Sequence, residues 1–385
     1  MFYLIYKWLV FPDPSPTGVL RFLRLFNSQP FRSMCAAITG FLFVLMVMPW
    51  FIRLMRRRGV SEQARHYSEL DSGRKADVPT MGGLVLLAGL VLSMLLWCDP
   101  TSPFVLIATG VGLAGAVLGM GDDLAKLRHR GSDRGLSRAA KYVVQAGLGV
   151  GLGVLLLADL TSPIAEPSVR GSVYLPMNKY GYEIGWLNVA VIAFFMVAST
   201  NAVNLTDGMD GLATVPSILV LLVLGVFAYI IGHVSHAPFL QFFPYPDSAG
   251  HVVNHHLAGA GELAVLCCAG IGACAGFLWY NAFPATVMMG DTGALGLGAL
   301  LGAIAVLIRQ EAIFLIAGGV FIIEIASSFI QDYIGLKVLG RRVFFRAPFH
   351  SSLLHHGISE SKVTIRLWLL SGAFAVAALT MLKLR

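Results

Sequence analysis

Charge is the property that this sequence lacks most. Only 13% of its 385 residues are Asp, Glu, Lys or Arg, whereas 56% are hydrophobic and the mean hydropathy is +0.74. A soluble protein carries about 25% charged residues. The deficit excludes an ordinary soluble domain and indicates an integral membrane protein.

Cysteine is also scarce, and its spacing fits no zinc site. The chain has an odd number of Cys, and all of them lie in apolar stretches: Cys35, Cys98, Cys267, Cys268 and Cys274. A buried free Cys behaves as a small hydrophobic residue. We interpret all five in that way.

The N-terminus lacks the features of a signal peptide. The stretch MFYLIYKWLVFPDPSPTGVLRFLRLF has no basic leading region and no small-residue cleavage site. Its mixture of Phe, Leu and Arg predicts a segment, residues 1–34, that lies along the outer membrane interface. The chain as a whole, 1–385, is predicted to be one membrane domain.

Long apolar runs are what the sequence has in abundance. A helix needs about 20 apolar residues to cross a bilayer, and the chain contains ten such runs. Because the runs do not alternate as barrel strands do, we predict an all-α polytopic membrane protein. The predicted spans are 35–52, 81–98, 104–121, 142–160, 184–200, 212–232, 262–280, 294–308, 312–331 and 364–382.

The basic residues predict the orientation of these spans. One set of connecting stretches holds 19 of the 28 Lys and Arg residues. Basic residues stay on the cytoplasmic side, so this set is predicted to be cytoplasmic and both termini to face out. The set is 53–80, 122–141, 201–211, 281–293 and 332–366. The net charge of +7 therefore requires no nucleic-acid partner.

Glycine is frequent, with 42 residues, and one arrangement imitates a nucleotide-binding motif. The letters GVGLAG at 110–115 match the dinucleotide fingerprint, but that motif requires a preceding strand and a following helix. Here it lies inside a predicted span. Small residues at such spacings allow helix backbones to approach closely in lipid, and helix packing is the interpretation we keep.

Polar residues gather on the predicted cytoplasmic side. Acidic residues near a membrane are costly and mark function by default. The clusters are RKADVPTMGG with Lys75 and Thr80, GMGDDLAK with Asp122, Asp123 and Lys126, NAVNLTDGMDG with Asn201, Asn204, Asp207 and Asp210, NAFPATVMMGDTG with Asn281, Met288 and Asp291, and FRAPFHSSLLHHG with His350.

This collection of groups suits a magnesium-dependent reaction of phosphates. Oxygen donors without Cys or His favour Mg²⁺ over zinc, and the neighbouring bases, which include Lys126 and Lys141, complement phosphate oxygens. If residues 201–210 are helical, their Asn and Asp side chains share one face. Each cluster alone has an ordinary explanation as a solvated helix end, a turn or a topology signal. Their common side favours the functional interpretation.

The motifs PTMGG, DDLAK, NAVNLTDGMDGLA, NAFPA, MGDTGALGLG and APFH resemble, in order and spacing, those of the bacterial phospho-N-acetylmuramoyl-pentapeptide transferases. This family belongs to the polyprenyl-phosphate N-acetylhexosamine-1-phosphate transferases. The resemblance implies an inner-membrane enzyme that moves phospho-MurNAc-pentapeptide from UDP to undecaprenyl phosphate with Mg²⁺ and releases UMP. The expected partners are these two substrates and the surrounding lipids, and a homodimer is left open.

The resemblance also implies residue roles. It makes Asp291 the surest Mg²⁺ ligand with Asp122 beside it, and it makes Asp122 or Asp123 either the base for the lipid phosphate or a covalent nucleophile. His350 carries over as a catalytic residue. Positions matching the nucleotide-sugar pocket or lining the site are Lys75, Thr80, Lys126, Lys141, Asn201, Asn204, Asp207, Asp210 (toward uracil) and Asn281.

The sequence departs from the family pattern at two places. The family usually has three consecutive His where this chain has His350-Ser351-Ser352, and it has a uracil-stacking Phe where this chain has Met288. The altered histidine motif leaves one alternative, a sister transferase that uses another UDP-N-acetylhexosamine such as UDP-GlcNAc. A transporter is the other, but transporters place their acids near the midplane and often contain repeats, which this sequence does not show.

Overall fold

The structure, a computed structural model, describes residues 1–9, 20–60, 78–128, 135–246 and 252–383. The predicted all-α membrane architecture is confirmed over these ranges. Ten helices form the bundle: α1 Gln29–Arg57, α2 Gly83–Trp97, α3 Pro103–Arg128, α4 Arg138–Leu157, α5 Leu187–Thr206, α6 Thr214–Ile231, α7 Glu262–Asn281, α8 Gly290–Leu307, α9 Gly319–Phe329 and α10 Glu360–Thr380.

Each predicted span corresponds to one of these helices. Within the described ranges, nine helices are long and apolar enough to cross a membrane, when α9 is taken with its continuation to Val338, and α2 is the shorter tenth. The ninth predicted span, 312–331, is wrong in one respect, because it is not one continuous helix. A separate helix, Glu311–Ala317, precedes α9, and Gly318 interrupts the two helices. Helix α9 then continues as a π-helix over Ile330–Val338.

The Gly-rich helix α8 lies at the centre of the bundle, and every residue from Asp291 to Leu307 is buried. Small residues on α3 allow the two backbones to approach closely. A Cβ on Gly115 of α3 would lie 2.7 Å from the Ala299 Cβ of α8, whereas one on Gly110 would meet open space. The predicted packing role of glycine is therefore confirmed for Gly115.

The N-terminal segment differs from its prediction in extent. Residues Phe2–Leu9 form a short helix, and the Phe2 ring packs on Trp97 at the end of α2, with ring centroids 4.6 Å apart. A single-turn helix, Leu20–Leu23, and a 3-10 turn, Arg24–Asn27, follow. Because α1 begins at Gln29, residues 29–34 belong to a spanning helix and not to the interfacial segment.

Two small hairpins cover the end of the bundle that the Phe2–Leu9 helix also occupies. Antiparallel strands β1 Ser172–Val173 and β2 Tyr182–Glu183 pair with Ser172 opposite Glu183, and β3 Pro244–Pro246 and β4 Val252–Asn254 pair with Tyr245 opposite Val253. The Tyr174 and Tyr245 hydroxyls join the hairpins at 2.5 Å. Single-turn helices Pro167–Arg170 and His236–Phe239 complete this end.

Candidate active site

The opposite end of the bundle holds two acidic groups and two basic groups in contact. Helix α3 continues beyond its predicted end at 121, so Asp122 and Lys126 lie one turn apart on its last turns. Lys141 lies on the first turn of α4, which Ser137 caps by accepting from the Ala140 amide at 3.1 Å. Asp291 lies on the first turn of α8.

The two ammonium groups bridge the two carboxylates. Lys126 Nζ lies 2.7 Å from Asp122 Oδ2 and 3.0 Å from Asp291 Oδ2. Lys141 Nζ lies 3.0 Å and 3.2 Å from the same two oxygens. Asp122 is fully buried, and its Oδ1 accepts from the Leu136 amide at 2.7 Å. Carboxylate oxygens from α3 and α8 therefore bind the same two ammonium groups.

Asp123 points to the N-terminus of α8 instead. Its Oδ1 accepts from the Asp291 amide at 3.1 Å, and its Oδ2 accepts from the Thr292 amide at 2.9 Å and the Thr292 hydroxyl at 2.6 Å. These contacts satisfy donors that a helix start leaves free. The catalytic role expected for Asp123 stays a prediction, and Thr292 is a partner that the sequence analysis missed.

A cavity of about 360 Å³ opens beside the lysines. Its lining brings together six of the predicted residues from five separate parts of the chain. These six are Asp122, Lys126, Lys141, Asn204, Asp291 and His350. Polar groups of both signs with room for a ligand are what a phosphate-transfer site requires.

His350 belongs to a buried pair that the sequence analysis did not predict. Its Nδ1 lies 3.0 Å from Oε2 of Glu324, a fully buried residue of α9. Gly208 lies against the other edge of the ring, because a Cβ there would be 2.6 Å from His350 Nε2. Glu324 is the single acid within the ninth apolar run, 312–331, and this isolation was the signal by which the sequence could have identified it.

The four-residue pattern at 201–210 is only partly helical, which corrects the expectation of one shared face. Helix α5 ends at Thr206, so Asp207 caps it and Asp210 follows in a turn. Asn201 donates to Gln145 of α4 at 2.6 Å, and Asn204, one turn later, lines the cavity.

A second polar cluster joins the turn after α5 to the loop after α7. Asn281 Oδ1 accepts from the Gly211 amide at 3.1 Å, and its Nδ2 donates to Val287 O at 3.0 Å. Asp210 Oδ2 accepts from the Ala285 amide at 3.0 Å. These contacts shape the backbone beside the cavity, and the expected roles of Asp210 and Asn281 toward the nucleotide stay predictions.

The loop after α7 also pairs with the chain before α2. The Met288 amide donates to Pro79 O at 2.8 Å, and Gly82 donates back to Met288 O at 2.9 Å. Met288 is buried at 6% exposure, and its expected contact with uracil is untested. Thr80 lies near Gly290, since a Cβ there would be 3.0 Å from Thr80 Oγ1. Lys75 lies outside the described residues.

The residues present are compatible with a hard divalent cation. In the described part of the chain, no group of three or more His, Cys, Asp and Glu is placed to hold a metal. Mg²⁺, however, uses one or two carboxylates and completes its shell with water and substrate phosphates. Asp122 Oδ2 and Asp291 Oδ2, which share Lys126 and Lys141 as cationic partners, provide such a pair.

Comparison with known proteins identifies the family. The family model for glycosyl transferase family 4 matches residues 104–309, more than half of the chain. A phospho-N-acetylmuramoyl-pentapeptide-transferase of Methylacidiphilum infernorum (isolate V4) is 38% identical over 377 residues, 96% of this chain and 98% of the relative. The chain belongs to the phospho-N-acetylmuramoyl-pentapeptide transferase family. It is therefore a membrane transferase.

Two further transferases of the same name have similar coverage. That of Rhodopseudomonas palustris strain BisA53 is 37% identical over 385 residues, 98% of this chain and 99% of the relative. That of strain BisB18 is 36% identical over 363 residues, 94% and 96% of the two chains. Because these matches run nearly end to end, the similarity to the transferases extends over the part of the chain that contains Glu324 and His350.

Proposed function

We propose that this protein transfers phospho-MurNAc-pentapeptide from UDP-MurNAc-pentapeptide to undecaprenyl phosphate and releases UMP. The observation that carries the proposal is the convergence of Asp122, Asp291, Lys126 and Lys141 beside one cavity at a single end of the bundle. The names of the relatives support the identity of the transferred group, since they specify phospho-N-acetylmuramoyl-pentapeptide.

The reaction exchanges one phosphorus–oxygen bond for another. An oxygen of the lipid phosphate attacks the phosphorus that carries the sugar, and the bond from that phosphorus to the bridging oxygen breaks, so that UMP leaves with that oxygen. The second pKa of a phosphate ester is about 6, so little base strength is needed at neutral pH. Catalysis then consists mainly of positioning and charge neutralisation.

The residues of the cavity divide this work. Lys126 and Lys141 offer ammonium groups to the anionic diphosphate and to the charge that develops on UMP. Asp122 and Asp291 would hold Mg²⁺, which would supply further charge neutralisation at the phosphate oxygens when bound. Asp122 is buried, so its carboxylate is shielded from bulk water. The lower local dielectric constant strengthens its electrostatic interaction with Lys126 and Lys141.

We further propose that the cavity faces the cytoplasm in the inner membrane. The basic residues of the loops at the cavity end support this orientation. A site at the headgroup level is accessible both to a soluble nucleotide sugar and to a lipid phosphate. Transport is not favoured, because the acids of the cavity lie at helix ends on one side.

Release of UMP by the purified protein tests the proposal. With Mg²⁺, undecaprenyl phosphate and UDP-MurNAc-pentapeptide, we expect UMP, none with EDTA, and little with UDP-GlcNAc as the only sugar donor. Asp291→Asn should lower the rate by about 100-fold or more. The matched control is Asp159→Asn, an exposed acid at the opposite end, which should leave the rate unchanged. No UMP from wild type, or equal rates for both variants, would refute the proposal.

A further inference from the structure

Glu324 is a buried acid that the proposed reaction does not yet use. It lies on α9 within an apolar run and has no solvent exposure. A carboxylate buried in a membrane protein is costly, so it requires a compensating partner and indicates a function. The observed partner is His350, 26 residues further along the chain.

Two contacts attach Glu324 to His350. Glu324 Oε2 lies 3.0 Å from the imidazole Nδ1, and Oε1 accepts from the His350 backbone amide at 3.2 Å. A carboxylate only accepts hydrogen bonds, so the ring form that fits this contact is the one in which Nδ1 donates. The two contacts together fix the position of the ring.

The other ring nitrogen, Nε2, is a buried polar atom that lacks a hydrogen-bond partner among the described residues. His350 itself is 1% exposed. Buried polar atoms normally have a partner. The residue lines the same cavity as Lys126 and Lys141, whose ammonium groups attract anions. Gly208 is the close neighbour at this edge of the ring, where an added Cβ would lie 2.6 Å from Nε2.

We propose that Glu324 is a positioning residue that holds His350 so that Nε2 donates a hydrogen bond to a phosphate oxygen of the substrate. In this arrangement both ring nitrogens donate, Nδ1 to the Glu324 carboxylate and Nε2 to the phosphate, and Glu324 is the acidic partner beside the ring. This inference rests on the proposed function, because the phosphate is that of the nucleotide sugar or of the lipid.

A double-mutant cycle tests whether Glu324 acts through His350. We expect Glu324→Gln and His350→Gln each to lower kcat for UMP release by about 10- to 100-fold, the range for a charge-assisted hydrogen bond. Because both changes remove the same interaction, the double variant should be no slower than His350→Gln. The control Glu311→Gln removes another buried acid, paired with Arg309 at 3.0 Å, and should keep the wild-type kcat.

Nitrogen NMR of histidine-labelled protein supplies a readout that a merely structural role would not change. The His350 signals, assigned by their loss in His350→Gln, should show a protonated Nδ1 in wild type and a changed Nδ1 signal in Glu324→Gln. If Glu324→Gln does not fold, Gly208→Ala replaces it, because the added Cβ displaces Nε2 from the opposite edge and should also lower kcat.

Three results would overturn the inference: a wild-type kcat in Glu324→Gln, losses that multiply in the double variant, or an unprotonated Nδ1 in wild type. If the wild-type protein releases no UMP, the proposed function fails instead. The Nδ1 signal still decides the Glu324 contact in that case, so the two failures are distinguishable.

Discussion

The close approach of α3 and α8 predicts opposite effects for the same substitution at two glycines of one helix. A Cβ on Gly119 would collide with the backbone carbonyl oxygen of Asp291, whereas a Cβ on Gly110 meets nothing within 4 Å. Gly119→Ala must therefore push α3 away from α8, and Gly110→Ala need not move anything. Asp122 lies one turn after Gly119, so the displacement also separates it from Asp291.

The expected magnitudes follow from two competing terms. Alanine favours a helix over glycine by about 0.5–1 kcal/mol, and overpacking a close interface costs about 1–3 kcal/mol. Gly119→Ala should therefore be destabilised by about 1–2 kcal/mol, since the atom that it meets is backbone and cannot rotate away. Gly110→Ala has only the favourable term and should be neutral or slightly more stable.

Thermal unfolding of the two variants in detergent, followed by UMP release from the folded fraction, measures both effects. We expect a lower apparent Tm and a slower reaction for Gly119→Ala, and wild-type behaviour for Gly110→Ala. Equal Tm values and equal rates for the two variants would refute the close packing of α3 on α8 and, with it, the geometry of the site.

Three further predictions follow from particular side chains. Lys126→Met should lower kcat/KM for UMP release by about tenfold or more, because a cation shared by two carboxylates is lost, whereas Lys179→Met in the opposite loop should match wild type. Ser351→His should lower the apparent Tm without raising activity, because this 4% exposed side chain does not line the cavity. Leu160→Cys and Ser137→Cys place a thiol at opposite ends of the bundle, the first at a fully exposed position and the second at the cavity end. In intact cells, an impermeant thiol reagent should label Leu160→Cys, and it should label Ser137→Cys only after permeabilisation.

The bundle was predictable because lipid leaves few structures open to an apolar run. A segment in a membrane must satisfy its backbone internally, so the runs alone predicted the helices. The exceptions depend on tertiary contacts. The break at Gly318 lies where Phe374 of α10 packs against the next glycine, with a would-be Cβ of Gly319 2.5 Å from that ring. The Gly318-Gly319 pair is itself a local breaker signal, but the contact with Phe374 is not visible in a local pattern.

The co-location of the polar clusters was easier to predict than their geometry. As expected from their common side, Asp122, Asp291 and His350 line one cavity. Adjacent helical residues point about 100° apart, however, so only one acid of the pair at 122 and 123 faces the cavity, and the sequence does not say which. Glu324 was missed because it is a single acid without polar neighbours to mark it.

Binding of Mn²⁺, used in place of Mg²⁺ and followed by electron paramagnetic resonance, tests the central claim most directly. If Asp122 of α3 and Asp291 of α8 share one cation, Asp122→Asn and Asp291→Asn should each weaken binding, and the double variant should be little weaker than either single variant. Wild-type Mn²⁺ affinity in both single variants, or independent losses that multiply in the double variant, would contradict a single shared site.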